Sequence, residues 1–254
     1  MTDKKVIWIT GASTGIGKAT ALKFASKGWS VAASARRKNL LDELSLLNSN
    51  IHSFPLDVTN EEDCKKTFDK IIEKFKNIDL CIFSTGIHDP ESEKVFNAKI
   101  IRKIMEVNFF GTMNTINSVY NFYKNNQKGH ICIVSSVAGY RGLPAAGAYC
   151  SSKAALTSFS ESLYFDLSRH NVKVSLVSPG FIKTPMTDKN SFYMPMLKTA
   201  EYAAEKIYNG LINKNSFEIH FPKSFTYLMK LIKFLPYFIY FGIQKLANKF
   251  VIKR

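Results

Sequence analysis

The sequence is short of acidic residues, of paired cysteines and of long uninterrupted apolar runs, and each shortage narrows what the chain can be. Acids number 20 against 35 lysines and arginines, for a formal net charge of +15. The four cysteines, Cys64, Cys81, Cys132 and Cys150, form no CxxC pair and have no zinc-ligand spacing. Neither a metal nor a disulfide framework is therefore expected, and a reducing, cytoplasmic setting is the simplest reading. Cys81 and Cys132 lie in apolar runs and read as core thiols, whereas Cys150, beside Tyr149, reads as reachable. The run at residues 6–9 is too short for a signal-peptide core, so the mature protein is expected to start at or near residue 1. No Pro/Gly/Ser-rich linker or internal repeat divides the chain. With 254 residues and 46% hydrophobic content, one large α/β domain with a full core is expected over residues 1–221, followed by a basic, apolar extension at 222–254.

Apolar stretches at residues 6–10, 30–35, 51–56, 78–83, 130–135, 172–177 and 217–221 read as strands. Helical spacing falls between them, at 15–27, 61–75, 98–124 (with a bend near Gly111), 148–168 and 199–211. The strands are apolar along their whole length, which belongs to a parallel sheet covered on both faces. Right-handed crossovers make this a single-domain, Rossmann-type, doubly wound sheet with helices on both faces. Ligands then lie beyond the carboxyl ends of the strands. The glycine turn, Ser136 and the segment after Val177 all fall at such ends.

The turn after the first strand carries Gly11, Ser13, Thr14, Gly15, Ile16 and Gly17. Glycines at this spacing let the backbone approach a pyrophosphate, and the helix N-terminus offers it amide donors. An acid after the second strand would suit the ribose 2′-hydroxyl of NAD. None is there; Arg36 and Arg37 follow instead, and guanidinium suits a 2′-phosphate. NADP(H) is therefore expected over NAD(H), with Arg36 as the main clamp. Asp57 ends the third strand and reads equally as an acceptor for the adenine amino group or as a turn aspartate. Tyr149 and Lys153 stand four residues apart on one helical face. An ammonium there is expected to pull the phenol below its usual pKa of about 10, making a proton donor and acceptor for a substrate oxygen.

Taken together, Thr10-Gly11-x-x-x-Gly15-x-Gly17, Asp57-Val58, Asn108, Ser136, Tyr149-x-x-x-Lys153 and Ser178-Pro179-Gly180 resemble the short-chain dehydrogenase/reductase family over residues 5–221. The resemblance implies that Tyr149 is the catalytic acid/base and that Lys153 lowers its pKa and holds the nicotinamide ribose. It makes Ser136 the residue that orients the carbonyl, with Ser135 its non-catalytic neighbour. Asn108 would hold a proton-relay water and kink its helix. Pro179, Gly180, Ile182 and Thr184 would contact the nicotinamide, and Asp57, Val58 and Gly86 would belong to the cofactor site. The family often carries Asn-Asn-Ala-Gly where this chain has Phe83-Ser84-Thr85-Gly86, a departure that touches sheet bracing and adenosine contacts more than the chemistry. The helices at 98–124 and 148–168 form the subunit contact in the family, which implies a homodimer or homotetramer.

The expected activity is therefore NADPH-dependent reduction of a ketone or aldehyde, or its reverse. The rival is a non-enzymatic, cofactor-sensing, membrane-associated protein of the same fold. The segment 185–198, with Met186, Phe192, Tyr193, Met194, Met196 and Leu197, covers the substrate in the family and implies an apolar one, lipid-like or steroid-like. Residues 222–254 hold seven of the cations and no acid. The uncharged stretch from Lys233 to Lys245 is shorter than the roughly 20 residues that span a bilayer, and Pro236 breaks it. The tail suits a helix lying in the membrane interface, or equally a cap over the substrate pocket or a dimer contact. Its apolar bulk speaks against nucleic acid as a partner.

Overall fold

Strand β1, Val6–Thr10, is buried at every position, and its side chains divide between two cores. Ile7 and Ile9 face one layer, while Val6 and Trp8 face the other. The computed structural model describes residues 4–251, with side-chain surroundings as far as residue 246. Met1, Lys253 and Arg254, and the surroundings of Lys249, lie outside the described residues. After β1 come α1 (Gly15–Ser26), β2 (Ser30–Ser34), α2 (Lys38–Leu47), β3 (Ile51–Ser53), α3 (Glu61–Phe75) and β4 (Leu80–Phe83). A short α4 (Pro90–Glu93) precedes α5 (Ala98–Met105), a wide π-type turn (Glu106–Phe110) and α6 (Gly111–Asn126). Then follow β5 (Gly129–Val134), α7 (Gly147–Ser168), β6 (Val172–Pro179), α8 (Ala200–Tyr208), β7 (Glu218–Phe221), α9 (Lys223–Lys233) and α10 (Tyr237–Val251).

The seven strands form one sheet in the order β3-β2-β1-β4-β5-β6-β7, every neighbouring pair parallel. One face packs against α1, α2 and α8 through Phe24, Leu41, Leu44, Ala203 and Ile207. The other packs against α3, α6 and α7 through Ile71, Ile116, Val119, Leu156 and Leu163. The chain runs outward from β1 to β3, then crosses back to β4 on the far side of β1. That reversal opens a crevice between β1 and β4, where an open α/β sheet binds its ligands.

Local chemistry sets the boundaries. Asn60 caps α3 by accepting from the Asp63 amide, three acids occupy its first turn, and Lys76 ends it in the left-handed conformation, in keeping with the helix dipole. The third strand is shorter than expected, because the chain leaves the sheet after Ser53. The expected bend near Gly111 is instead the wide turn at Glu106–Phe110, which centres the distortion on Asn108. Gly111 has a packing role: a Cβ there would lie 2.5 Å from Val58 Cγ2. All four cysteines are unpaired and buried. Cys150 is only 4% exposed, so the expectation that it is reachable is wrong; its Sγ accepts a hydrogen bond from the Leu143 amide at 3.4 Å. Among the described residues, no helix is long and apolar enough to cross a membrane.

Candidate active site

The glycine turn is built by close approach. Gly11 has φ +70°, and a Cβ there would meet the Ser84 carbonyl oxygen at 2.8 Å; only glycine tolerates both constraints. A Cβ on Gly17 would lie 2.3 Å from the Gly11 carbonyl oxygen, so α1 seats directly on the turn. Thr14, the residue before α1, makes no side-chain capping bond, and the first turn of α1 holds no acid. Its leading amides therefore point toward the crevice without a side-chain acceptor, which fits a pyrophosphate. From the other side, Thr184 Cγ2 would be 3.0 Å from a Cβ on Gly15. Thr10 ties the turn to the neighbouring strand end by accepting from the Ser84 amide at 3.3 Å, a brace present despite the departure at residues 83–86.

The crevice has a volume of about 430 Å³. It gathers Gly11, Ser13, Thr14, Gly15, Ile16, Gly17, Arg36, Arg37, Asp57, Val58, Gly86, Ser136, Tyr149, Lys153, Pro179, Gly180, Ile182 and Thr184 along one wall system. At one end, Arg37 donates from Nη2 to Ser13 Oγ at 3.1 Å and to Thr14 Oγ1 at 3.3 Å. Arg37 is thus anchored to the glycine turn, and Arg36, expected as the main clamp on a 2′-phosphate, lines the same space. Asp57 uses Oδ1 to accept from the Thr59 amide at 3.1 Å and the Thr59 hydroxyl at 2.8 Å. The turn role of Asp57 is real, and it occupies the crevice wall at the same time.

At the other end stand Ser136, Tyr149 and Lys153. Ser136 caps the short turn after β5 by accepting from the Ala138 amide at 3.1 Å. Ser135 points the other way and donates to the Lys153 carbonyl at 2.8 Å. Lys153 Nζ donates to the Val134 carbonyl at 2.9 Å and lies 5.7 Å from the centre of the Tyr149 ring. The expected depression of the phenol is not found. Burial pushes Tyr149 up to about 12, opposed by a hydrogen bond with Ser136. Burial also lowers Lys153 to about 8. Desolvation outweighs the attraction between the pair, because the ammonium spends its directed bond on a backbone carbonyl rather than on the phenol.

Asn108 does not line the crevice. It is fully buried and clamps the strand-end loop, accepting from the Ile87 amide at 2.7 Å and donating to the Ile87 carbonyl at 3.0 Å. It also donates to Ser152 Oγ at 3.0 Å. A Cβ on Gly86 would lie 3.5 Å from both Asn108 Oδ1 and Lys153 Nζ, an ordinary contact distance that places this glycine against both side chains.

Two residues here were missed from sequence. His88 stacks on Tyr149 with ring centres 4.4 Å apart, and its Nδ1 lies 2.9 Å from Glu93 Oε1. The second oxygen, Glu93 Oε2, accepts from the Ala148 amide at 2.9 Å and the Tyr149 amide at 3.2 Å. One carboxylate, 4% exposed, therefore caps the start of α7 and steadies the ring that covers Tyr149. The acid in α4 lies 56 residues from Tyr149, so no local spacing could reveal the pairing.

The model of the short chain dehydrogenase family matches residues 5–192. The chain belongs to the short-chain dehydrogenase/reductase family. It is similar to an uncharacterized oxidoreductase of Myxococcus xanthus, 32% identical, with 90% of this chain and 91% of that protein covered. The 11-beta-hydroxysteroid dehydrogenase-like 2 protein of Arabidopsis thaliana is 38% identical, with 72% of this chain and 61% of that protein covered. Among solved structures, ElxO with NADP bound is 27% identical at a TM-score of 0.75, covering 85% of this chain and 97% of that one. As a member of that family, the chain is an NAD(P)-dependent oxidoreductase acting on alcohol and carbonyl groups, built on a seven-stranded Rossmann-type domain.

Proposed function

We propose that the protein uses NADPH to reduce the carbonyl group of an apolar, lipid-like substrate. The observation that carries this reading is the convergence of Ser136, Tyr149 and Lys153 at one end of a crevice whose other end holds Arg36 and Arg37. Two guanidinium groups with no acid beside them favour a 2′-phosphate over a bare ribose. The uncapped amides of α1 and the glycine cradle suit the pyrophosphate. When bound, the cofactor supplies the hydride.

The chain's own residues handle the oxygen and its proton. Ser136 and Tyr149 both line this end of the crevice, so two hydroxyls are available for a single carbonyl oxygen. With its pKa raised to about 12, Tyr149 carries its proton at neutral pH and serves as the acid of the reductive direction. Tyr149 would hand its phenolic proton to the substrate carbonyl oxygen as negative charge develops there. The phenolate left behind then faces the Lys153 ammonium, whose position the Val134 carbonyl fixes. Asn108 supports this end as a positioning residue through Ile87 and Ser152. Support for an apolar substrate comes from Met186 on the crevice wall and from Phe192 packed on Phe181, with ring centres 5.9 Å apart.

The test is a panel of short polar and long apolar ketones, with NADPH consumption followed by absorbance. Turnover confined to apolar ketones, and lost in Tyr149→Phe with NADPH binding retained, is the expected result. Turnover surviving in Tyr149→Phe overturns the assignment of the proton donor.

A further inference from the structure

The extension α9–α10 is held firmly on its inner side and bare on its outer side. Phe225 and Met229 of α9 bury themselves against Val137 and Tyr140, next to the turn that carries Ser136. Gly180 makes room for this, since a Cβ there would meet the Phe225 ring at 2.8 Å. Lys230 pairs with Glu218 on β7. Arg141 Nη1 donates to the carbonyls of Ile232, Lys233 and Leu235 at 3.0, 2.9 and 2.7 Å, satisfying the end of α9. The same guanidinium lies 4.2 Å from the Tyr240 ring centre and 4.9 Å from that of Tyr237. Tyr240 is buried and donates its hydroxyl proton to the Gly142 carbonyl.

Facing outward, by contrast, Leu231, Phe234, Tyr237, Phe238 and Phe241 are all more than half exposed, Phe234 at 81% and Phe238 at 77%. A patch of this size and composition marks a contact surface. The substrate-covering segment continues it: Met196, itself exposed, accepts on its sulfur from Ser224 in the first turn of α9 at 3.2 Å.

We infer that α9–α10 is a docking surface for a lipid bilayer bearing anionic headgroups, lying flat in the interface with its aromatic face in the lipid. Charge chooses the occupant. Residues 222–254 carry seven lysines and arginines and no acid, and Lys233 and Lys245 stand exposed among the aromatics. An anionic headgroup layer complements this pattern. A second copy related by two-fold symmetry would set the same acid-free surface against itself, bringing like charges together. The helix break at Pro236 and the shortness of the apolar stretch fit a surface-lying pair rather than a span. The buried inner side means that the surface is preformed and needs no folding on contact.

The experiment is sedimentation of the full-length protein with phosphatidylcholine vesicles, with and without phosphatidylserine, and needs no knowledge of the substrate. The protein should sediment with the phosphatidylserine vesicles and be released as salt is raised. The variant Leu231→Glu/Phe234→Glu/Phe238→Glu should bind at least about tenfold more weakly, with melting temperature and NADPH binding unchanged. Should that variant fail to fold, Lys233→Gln/Lys245→Gln should weaken binding to the anionic vesicles alone. Three results overturn the inference: no sedimentation of the parent protein, equal sedimentation of parent and variants, or a drop in the variant's solution mass that reveals a contact between copies. Because binding is read without turnover, its failure would leave the proposed reaction standing, and failure of the reaction would leave the docking surface standing.

Discussion

Replacing Glu93 with alanine removes the only side chain that, among the described residues, caps the start of α7, the helix carrying Tyr149 and Lys153. Ala146, the residue before that helix, makes no side-chain capping bond, so the Ala148 and Tyr149 amides rely on Glu93 Oε2. Each buried amide left without an acceptor costs about 1–3 kcal/mol. Partial relaxation toward other acceptors brings the sum to about 3 kcal/mol. For a chain of this length that lowers the melting temperature by about 6–12 °C. Glu93→Gln keeps an oxygen for the amides and an NH₂ for His88 and loses only the charge, so it should cost about 1 kcal/mol. The same contact positions the Tyr149 ring, because His88 stacks on it only while Glu93 holds Nδ1. In Glu93→Ala, kcat should therefore fall by up to about a hundredfold, since a misplacement of about 1 Å costs on that order. The KM for NADPH should hold, because Glu93 does not line the crevice. Thermal melts and steady-state kinetics on the two variants, with His88→Ala beside them, measure all of this. If Glu93→Ala melts with the parent protein, or if KM rises while kcat stays, the carboxylate does not organise this end of the site.

Lys153→Met should abolish turnover yet raise the melting temperature of the cofactor-free protein at neutral pH. A fall from 10.5 to about 8 corresponds to about 3 kcal/mol of burden from burying the cation. The sign follows from linkage: between about 8 and 10.5 the unfolded chain holds the Lys153 proton more tightly, so the parent protein gains stability as pH rises through that window. Its gap from Lys153→Met should therefore narrow, and a gap independent of pH contradicts the burial cost. NADPH affinity, followed by fluorescence, should weaken as pH rises through about 8, where Lys153 loses its charge; a flat profile there argues against a cofactor contact by the ammonium. Arg37→Glu should weaken NADPH by at least about tenfold more than NADH, as expected for loss of a charge-assisted bond of about 1.5–3 kcal/mol. Arg36→Glu should have a smaller effect, and equal losses of both cofactors would refute the clamp.

The sheet was legible because its central strands β1 and β4 are buried along their whole length and the turn after β1 carries glycines with clear conformational reasons, so period and turn chemistry agreed there. The positions around the crevice followed from the same logic, since strand ends in a doubly wound sheet must converge. The energetics around Tyr149 did not follow. Spacing puts an amine on the same helical face as a phenol, but it does not say where the amine's hydrogen bond goes. Here it goes to the Val134 carbonyl, so burial decides both titrations. Long-range partners were equally hidden. The Arg36-Arg37 pair announced a basic end, yet which guanidinium is anchored depends on the reach of Arg37 back to Ser13 and Thr14, 24 and 23 residues earlier. Glu93 and Arg141 show the same limit: one caps the start of α7 from α4, the other caps the end of α9 from the loop after β5. Neither has a local motif, because a helix terminus accepts its missing partner from any segment the fold brings near. Both lie between the last recognisable glycine turn and the tyrosine–lysine pair, where short loops carry the contacts that a general fold leaves to be specified. The family's motifs are thus written in spacing, while what holds the helix of Tyr149 and Lys153 and the extension in place is written in tertiary contacts.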